Sequence, residues 1–264
     1  MSDTRKSVFI TGGAKGIGEG CARVFSHAGW LVSICDIDVQ SGTTLAAELS
    51  AEGPGECRFI TADVGDPQQL ESAVHSAVEH YGRLDCLINN AGSHSPRGPI
   101  DECSIEEFNR LLQLNVVAVF LGCKLALPHL RKVRGSIINM SSLVSVVGEA
   151  FSATYCATKG AVSSLTKALA IDEAQYGIRI NAVLPGNIVS NSRVRAEAAA
   201  SDPRALHDWL ESVQWLGRSG TIEEAGNTCL FLASESASFI TGVDLILSGG
   251  AELGFGPKVY DSKF

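Results

Sequence analysis

The sequence predicts a single α/β domain: a doubly wound parallel sheet of about seven strands with helices on both faces. Three observations lead to this prediction. Short apolar runs alternate with helical segments from Val8 to Leu247. Glycines or polar residues follow most of these runs, as expected at the ligand-binding edge of a parallel sheet. No linker, repeat or break in composition divides residues 1–264, so one domain is expected.

The strands are predicted from β-branched and aromatic runs, which are typical of buried parallel strands. They cover 8–10, 31–35, 57–61, 84–88, 136–140, 178–183 and 243–247. Apolar periodicity and capping residues predict helices over 19–28, 40–51, 67–81, 105–127, 155–176 and 222–233. Pro128 is expected to end the fourth helix. Residues 190–216 are expected to form a substrate lid of short helices, and 251–264 a C-terminal tail.

Composition excludes several classes of protein. The formal net charge of −8 argues against a nucleic-acid surface, which needs a basic patch. The eight cysteines contain no C-x-x-C pair, so neither a metal site nor a disulfide framework is predicted. Reduced thiols and the lack of an apolar leader favour a cytoplasmic protein. The most apolar stretch, 116–127, contains Lys124 and is too short to cross a bilayer, so no membrane association is expected.

A glycine-rich turn joins the first strand to the first helix. Such glycines let the backbone approach a pyrophosphate, which the free N–H groups of the helix can then bind. The predicted cofactor-binding residues of this turn are Gly12, Lys15, Gly16, Ile17 and Gly18.

Acidic residues end the second and third strands. Asp36, 18 residues after Gly18, is placed to hydrogen-bond the adenosine ribose and to repel a 2′-phosphate, which favours NAD. Lys15 argues for a 2′-phosphate, but Asp36 is given more weight because it lies directly at the ribose. Asp63 and Val64 are expected either to meet the adenine edge or to form a plain turn, with equal weight.

Tyr155 and Lys159 are four residues apart, so on a helix their side chains share one face. A lysine cation near a phenol lowers the pKa of the phenol, which would make Tyr155 a usable acid or base. Ser142 precedes Tyr155 by 13 residues. Asn115 lies within an apolar run and is expected either to satisfy neighbouring backbone groups or to hold a water linked to Lys159.

Taken together, these motifs resemble the short-chain dehydrogenase/reductase family over about residues 6–250. The residues that carry the resemblance are Thr11-Gly12-Gly13-x-x-Gly16-Ile17-Gly18, Asn89-Asn90-Ala91-Gly92, Asn115, Ser142, Tyr155-x-x-x-Lys159 and Pro185-Gly186. The resemblance implies a Rossmann-type sheet, a nicotinamide cofactor, alcohol/carbonyl interconversion on a small molecule, and a homo-oligomer, with a tetramer favoured.

The resemblance also implies a role for each site residue. Tyr155 would be the general acid/base, and Ser142 would hydrogen-bond the substrate oxygen. Lys159 would hold the nicotinamide ribose and lower the pKa of Tyr155, and Asn115 would anchor a relay water. The residues implied to line the cofactor are Asn90, Ala91, Gly92, Ile188 and Ser190.

Within the family, several segments resemble the group of type-14 17β-hydroxysteroid dehydrogenases, which are also called L-fucose dehydrogenases. They are Leu84-Asp85-Cys86, Lys124–Pro128, Ser141–Val144, Ala157–Val162, Pro185–Ile188 and Gly249–Gly254. The chain departs from that group at Arg193, where the group has a large aromatic, at Glu149, where it has an amide, and at Phe255, where it has tyrosine.

Substrate contacts are predicted at Ser142 and Tyr155, together with His94, Glu149 and Arg193. Such polar groups suit a sugar or other polyol better than a steroid, although loop residues facing water would have the same composition. The leading hypothesis is an NAD-dependent dehydrogenase of a secondary or hemiacetal hydroxyl, with L-fucose-like sugars ahead of 17β-hydroxysteroids. An NADPH-dependent carbonyl reductase is the alternative. A silent NAD-binding regulatory protein is disfavoured, because Ser142, Tyr155 and Lys159 are all present.

Overall fold

A seven-stranded parallel sheet, in the order β3-β2-β1-β4-β5-β6-β7, forms the centre of the molecule. The structure is a computed structural model that describes residues 5–95 and 97–254. The strands are β1 Ser7–Thr11, β2 Leu31–Asp36, β3 Glu56–Thr61, β4 Cys86–Asn89, β5 Ser136–Met140, β6 Arg179–Pro185 and β7 Asp244–Leu247. Strand order reverses between β1 and β4, so their carboxyl ends open a crevice where such folds bind ligands. The predicted fold class is confirmed.

Helices cover both faces of this sheet. They are α1 Gly16–His27, α2 Val39–Glu52, α3 Pro67–Tyr81, α4 Ile105–Leu112, α5 Ala118–Val133, α6 Ala153–Glu173, α7 Asn191–Ala198, α8 Pro203–Ser212 and α9 Ile222–Ala233. Alternate residues of β1 serve the two cores: Val8 and Ile10 pack on one side and Phe9 on the other. Burial on both faces explains why the central strands β1 and β4 are mostly apolar.

The prediction that Pro128 ends a helix was wrong. Pro128 lies inside α5, which continues to Val133 and stops at Arg134 in a left-handed conformation with φ 54°. Beyond the proline, Leu130 is fully buried in the core. Burial of a leucine is worth about 1.5–3 kcal/mol, similar to the cost of a proline within a helix, so the last turn survives.

A π-helical turn, Gln113–Val117, connects α4 to α5 and was not predicted. It contains Asn115, which is completely buried. Single π turns often occur at functional sites, because the extra residue changes the direction of a side chain. Here the turn directs Asn115 towards the ends of β4 and α6.

The helical run Ile105–Val133 has 29 residues and, by length and composition alone, could cross a membrane. Its residues Val119, Cys123, Ala126 and Leu130 are nevertheless buried in the core on the side of the sheet that carries α3. This packing is that of a core helix.

Short helices occupy the predicted lid, as α7 and α8; their function as a lid stays a prediction. Of the predicted tail, residues 251–254 form turns, whereas 255–264, including Phe255, lie outside the described residues.

Candidate active site

A cavity of about 840 Å³ opens at the carboxyl ends of the strands. Most of the predicted site residues line it, namely Gly12, Lys15, Gly16, Ile17, Asp36, Asp63, Val64, Asn90, Ala91, Gly92, His94, Ser142, Tyr155, Lys159 and Ser190. Gly18, Asn115, Glu149, Ile188 and Arg193 are outside its lining. The sheet thus brings together groups that are up to 178 residues apart in sequence, from Gly12 to Ser190.

The glycine turn is tightly packed against the end of β4. Gly12 has φ +63°, and a Cβ there would lie 2.8 Å from Cα of Ala91. A Cβ on Gly18 would lie 2.1 Å from the carbonyl oxygen of Gly12, so glycine is required although Gly18 does not line the cavity. Asn90 fixes the turn by donating from Nδ2 to the carbonyls of Thr11 at 3.0 Å and Gly12 at 2.9 Å.

Asp36 and Asp38 have different tasks at the end of β2. Asp36 Oδ2 accepts a hydrogen bond from the backbone N–H of Ala14 at 3.1 Å, which places its carboxylate beside the glycine turn. Asp38 forms an ion pair with Lys15 and caps α2 by accepting a hydrogen bond from the Ser41 N–H. The hydrogen bond from Lys15 lowers the pKa of Asp38 to about 2. Lys15 is therefore held by a carboxylate.

Asp63 forms a turn, which was one of the two alternatives left open by the sequence; contact with an adenine stays a prediction. Its Oδ1 accepts from the backbone N–H of Gly65 at 2.8 Å, which is the geometry of a turn acid. It also lines the cavity together with Val64. Gln113, which the sequence did not single out, donates to the Gly65 carbonyl at 3.1 Å and lines the same end of the cavity.

Tyr155 and Lys159 lie on one face of α6, with Lys159 Nζ 5.8 Å from the centre of the Tyr155 ring. Burial raises the pKa of Tyr155, and a hydrogen bond with Ser142 opposes that shift. Lys159 Nζ donates to the carbonyl of Met140 at 2.9 Å, and burial lowers its pKa to about 8. The net pKa of Tyr155 is therefore raised in this structure, and the lowering by Lys159 stays a prediction.

Asn115 satisfies its amide with neighbouring groups, as one of the two alternatives predicted. Its Nδ2 donates to the Ser93 carbonyl at 2.9 Å and to Thr158 Oγ1 at 3.1 Å, and its Oδ1 accepts from the Ser93 N–H at 3.0 Å. Asn115 therefore ties the segment after β4 to α6, next to Lys159. The relay water stays a prediction.

Arg193, predicted to contact substrate, is placed by the structure within the lid. Its guanidinium pairs with Glu197 in α7 and with Glu211 in α8, both at 2.6 Å, and donates to Ser219. Only 10% of its side chain is exposed. Glu197 is four residues away in the same helix, whereas Glu211 belongs to the next helix, so the guanidinium joins α7 to α8. Another lid cation, Arg195, lines the cavity instead.

Replacing Arg193 with alanine should loosen the lid. Glu211 would lose its guanidinium partner while remaining largely enclosed, a change that costs about 1–3 kcal/mol. We expect faster amide exchange throughout α7 and α8 by hydrogen–deuterium exchange mass spectrometry, with the sheet unchanged. Arg204→Ala is the matched control, because Arg204 is 92% exposed and lies 3.9 Å from Asp208. Equal exchange in both variants would contradict this role for Arg193.

His94 and Glu149 lie together beside Tyr155. The His94 ring stacks on the Tyr155 ring with centroids 4.2 Å apart, and its Nε2 lies 3.2 Å from Glu149 Oε2. Arg97 forms an ion pair with the other oxygen of Glu149. The sequence did not identify Arg97, whose only signal was a cation three residues after His94.

Comparison with known proteins agrees with this geometry. The family model described as enoyl-(acyl carrier protein) reductase matches residues 12–252. An L-fucose dehydrogenase of Oryctolagus cuniculus is 47% identical over 96% of this chain and 87% of its own. One of Bos taurus is 45% identical over 96% of this chain and 92% of its own.

Solved structures show the same fold. Levodione reductase superposes with a TM-score of 0.89 at 29% identity, covering 93% of this chain and 96% of its own. A short-chain dehydrogenase/reductase variant of Serratia marcescens superposes with a TM-score of 0.86 at 31% identity, covering 94% and 98%. The chain is an oxidoreductase and belongs to the short-chain dehydrogenase/reductase family.

Proposed function

We propose that this protein is an NAD-dependent dehydrogenase that oxidises a secondary or hemiacetal hydroxyl of an L-fucose-like sugar. The observation that carries the proposal is the convergence of Ser142, Tyr155 and Lys159 in the same cavity as the glycine turn and Asp36. Dehydrogenases of this family use nicotinamide cofactors. The cavity offers the glycine turn to a pyrophosphate and Asp36 to the adenosine ribose of such a cofactor. The same convergence disfavours a silent regulatory protein.

The chain's residues fit a dinucleotide. The tight approach of Gly12 to Ala91 and the N-terminus of α1 suit a pyrophosphate. Asp36 supports NAD over NADP, because its carboxylate would repel a 2′-phosphate. Lys15 supports the same preference, since its ion pair with Asp38 holds the cation that a 2′-phosphate would need.

In the proposed mechanism Tyr155 is the base. The hydroxyl of Ser142 hydrogen-bonds the substrate oxygen, and the substrate proton passes to the Tyr155 phenolate as the carbonyl forms. Bound NAD supplies the hydride acceptor. Lys159, held by the Met140 carbonyl, contributes a positive charge beside the segment 90–92, because its Nζ lies 3.6 Å from a Cβ built on Gly92. That charge stabilises the phenolate through space.

The polar rim of the cavity supports a sugar as substrate. Besides Ser142, the hydrogen-bonding groups there include His94 and Arg195. The curated relatives include L-fucose dehydrogenases, and a meso-2,3-butanediol dehydrogenase of Serratia marcescens is 37% identical. Both names describe polar, hydroxyl-rich substrates. A steroid would need mainly apolar walls with only a few polar groups.

A panel of substrates tests the proposed function. Initial rates of NADH formation would be compared for L-fucose, 17β-estradiol and 2-propanol, each with NAD and with NADP. We expect L-fucose with NAD to have the highest kcat/KM. Faster oxidation of the steroid would contradict the substrate class, and a preference for NADP would favour the alternative of an NADPH-dependent carbonyl reductase.

Asp36→Asn should weaken NAD binding by about tenfold to a hundredfold, because a hydrogen bond to a charged group is worth about 1.5–3 kcal/mol. The affinity for NADP should rise in the same variant, since the repelling charge is gone. Isothermal titration with each cofactor measures both changes. Asp38→Asn is the control: it releases Lys15 but keeps Asp36, so NAD affinity should change less than threefold.

We further propose a cytoplasmic homo-oligomer, with a tetramer favoured. Large apolar side chains are exposed on α5, where Phe120 is 50% accessible, and on α6, where Ile171 is 78% accessible. The free cysteines, most of them buried, support a reducing compartment. Light scattering after gel filtration tests the oligomer number.

A further inference from the structure

Three residues of α6 share one stripe of the helix. They are Tyr155, Lys159 and Ser163, spaced four apart, so their side chains follow one another along the same face. The proposed mechanism uses Tyr155 and Lys159, whereas Ser163 has no part in it. Only 5% of Ser163 is exposed, so its hydroxyl is expected to have hydrogen-bond partners inside the protein.

The partners of Ser163 are two other serines. Its Oγ lies 3.1 Å from Oγ of Ser141, directly after β5, and 3.3 Å from Oγ of Ser145, in the turn that follows. Ser141 Oγ donates to the carbonyl of Lys159 at 2.9 Å. Ser145 Oγ donates to the carbonyl of Ser142 at 2.7 Å. The three hydroxyls therefore form a continuous chain from the backbone of α6 to the backbone of Ser142.

Ser142 and Tyr155 lie on different elements and contact each other. Ser142 begins the short turn Leu143–Ser145 after β5, whereas Tyr155 is in the first turn of α6. A hydrogen bond from Ser142 opposes the effect of burial on the pKa of Tyr155. The separation of the two groups therefore depends on how α6 packs against residues 141–145. A displacement of about 1 Å in such a pair can lower a rate by about 10²-fold.

Hydrogen bonds to α6 hold the chain on both sides of Ser142. Before it, the Ser141 hydroxyl is bonded to the Lys159 carbonyl. After it, the contact between Ser163 and Ser145 is the hydrogen bond that ties the turn 143–145 to α6 in the described part of the chain. Ser163 also contacts Ser141, so it joins the two sides. Either hydroxyl of that second pair can donate without changing the link.

We propose that Ser163 is a positioning residue, which holds the Ser142 hydroxyl at the distance from Tyr155 that proton transfer from the substrate requires. It does so through the hydroxyls of Ser141 and Ser145, without touching substrate or cofactor. The inference rests on the proposed function, since that function makes Tyr155 the base and Ser142 the group that binds the substrate oxygen. It does not depend on the identity of the substrate.

The experiment measures Ser163→Ala, Ser145→Ala and the double variant with whichever substrate of the panel the protein oxidises. Each single variant should lose about tenfold in kcat, because Ser142 is held less firmly. NAD affinity should change less than about twofold, since the glycine turn and Asp36 are untouched. Both substitutions break the same link, so the double variant should lose little more than Ser163→Ala alone. Losses that multiply to about a hundredfold, or single variants with the kcat of the wild type, would overturn the proposal.

Two further variants separate this role from a general effect on α6. Ser164→Ala is the matched control, because Ser164 is the next residue of the same helix and is exposed; its kcat should equal that of the wild type. Ser163→Thr keeps a hydroxyl on the same carbon and should recover most of the rate that Ser163→Ala loses. Equal losses of kcat in Ser163→Ala and Ser164→Ala would contradict a role for the Ser163 hydroxyl.

A second readout needs no turnover. Tyrosinate absorbance of the free protein is titrated with pH, and the Tyr155→Phe spectrum is subtracted to isolate Tyr155. The side chains that face Tyr155 in the described residues are Ser142, His94, Glu149, Cys156 and Lys159. Ser163→Ala replaces none of them, so a change in the titration reports the contact with Ser142.

Because the Ser142 hydrogen bond lowers the pKa of Tyr155, loosening it should raise that pKa in Ser163→Ala and leave it unchanged in Ser164→Ala. An unmoved titration in Ser163→Ala overturns the inference even if sugar oxidation is normal in the wild type. Conversely, absence of turnover with every substrate of the panel contradicts the proposed function, and the titration still decides whether Ser163 positions Ser142.

Discussion

Tyr155→Phe should lower kcat for sugar oxidation by about 10²–10⁴-fold, the range expected when a general base is removed. Phenylalanine keeps the ring that stacks on His94 and lacks only the hydroxyl that takes the substrate proton. The affinity for NAD should change by less than about threefold, because the glycine turn and Asp36 remain. Stopped-flow or steady-state NADH absorbance gives kcat, and isothermal titration gives the NAD affinity.

Tyr176→Phe is the control for this substitution, since Tyr176 is 44% exposed and lies under the Arg131 guanidinium, away from the cavity. Its kcat should match the wild type. If Tyr155→Phe kept more than a tenth of wild-type kcat, another group would have to be the base.

Lys159→Met should reduce kcat by about a hundredfold or more and weaken NAD binding, because it removes a buried charge that stabilises the phenolate and lies beside residues 90–92. The remaining activity should need a higher pH, since the phenolate would form less readily. The pH dependence of kcat/KM measures both effects. Lys124→Met, on the exposed side of α5, should behave as the wild type. An unchanged pH profile would contradict an electrostatic role for Lys159.

The same variant also has a stability signature. Because burial lowers the pKa of Lys159 from 10.5 to about 8, its charged form opposes folding. This penalty is fully present below pH 8 and disappears as the pH rises from about 8 to 10.5. The free energy of unfolding of the wild type, relative to Lys159→Met, should therefore increase by about 3 kcal/mol over that interval. Urea unfolding of both proteins at pH 7.5 and pH 10.5 would measure the change. If the difference in free energy of unfolding between wild type and Lys159→Met were the same at both pH values, burial would not lower the pKa of Lys159.

Sequence patterns predicted the sheet, its strands and the edge where the cavity lies. They did so because glycines or polar residues, such as Gly12, Asp36 and Ser142, follow most of the apolar runs, as expected at the ligand-binding edge of a parallel sheet. Capping residues predicted the helix over 222–233, and α9 begins with a capping box in which the Thr221 side chain accepts from the Glu224 N–H at 3.2 Å. Local signals of this kind involve only residues that are close in sequence, so the sequence alone is enough to predict them.

Features that depend on distant partners were not accessible in the same way. Arg193 could be assigned to the lid interior only once Glu211, 18 residues away, was placed beside it. The Met140 carbonyl that holds Lys159 carries no sequence signal, because every residue has a carbonyl. By local rules Pro128 predicts a helix end, but α5 continues to Val133, because the turn after the proline buries Leu130 in the core. The pairing of His94 with Glu149 spans 55 residues and likewise required the fold.

Isotope transfer tests the central claim most directly. L-fucose deuterated at C1 would be incubated with the protein and NAD, and the nucleotide product analysed by mass spectrometry. We predict NADH carrying one deuterium, the corresponding sugar lactone as co-product, and loss of both products in Tyr155→Phe. Formation of unlabelled NADH, or transfer to NADP in preference to NAD, would contradict the assignment of an NAD-dependent sugar dehydrogenase with Tyr155 as its base.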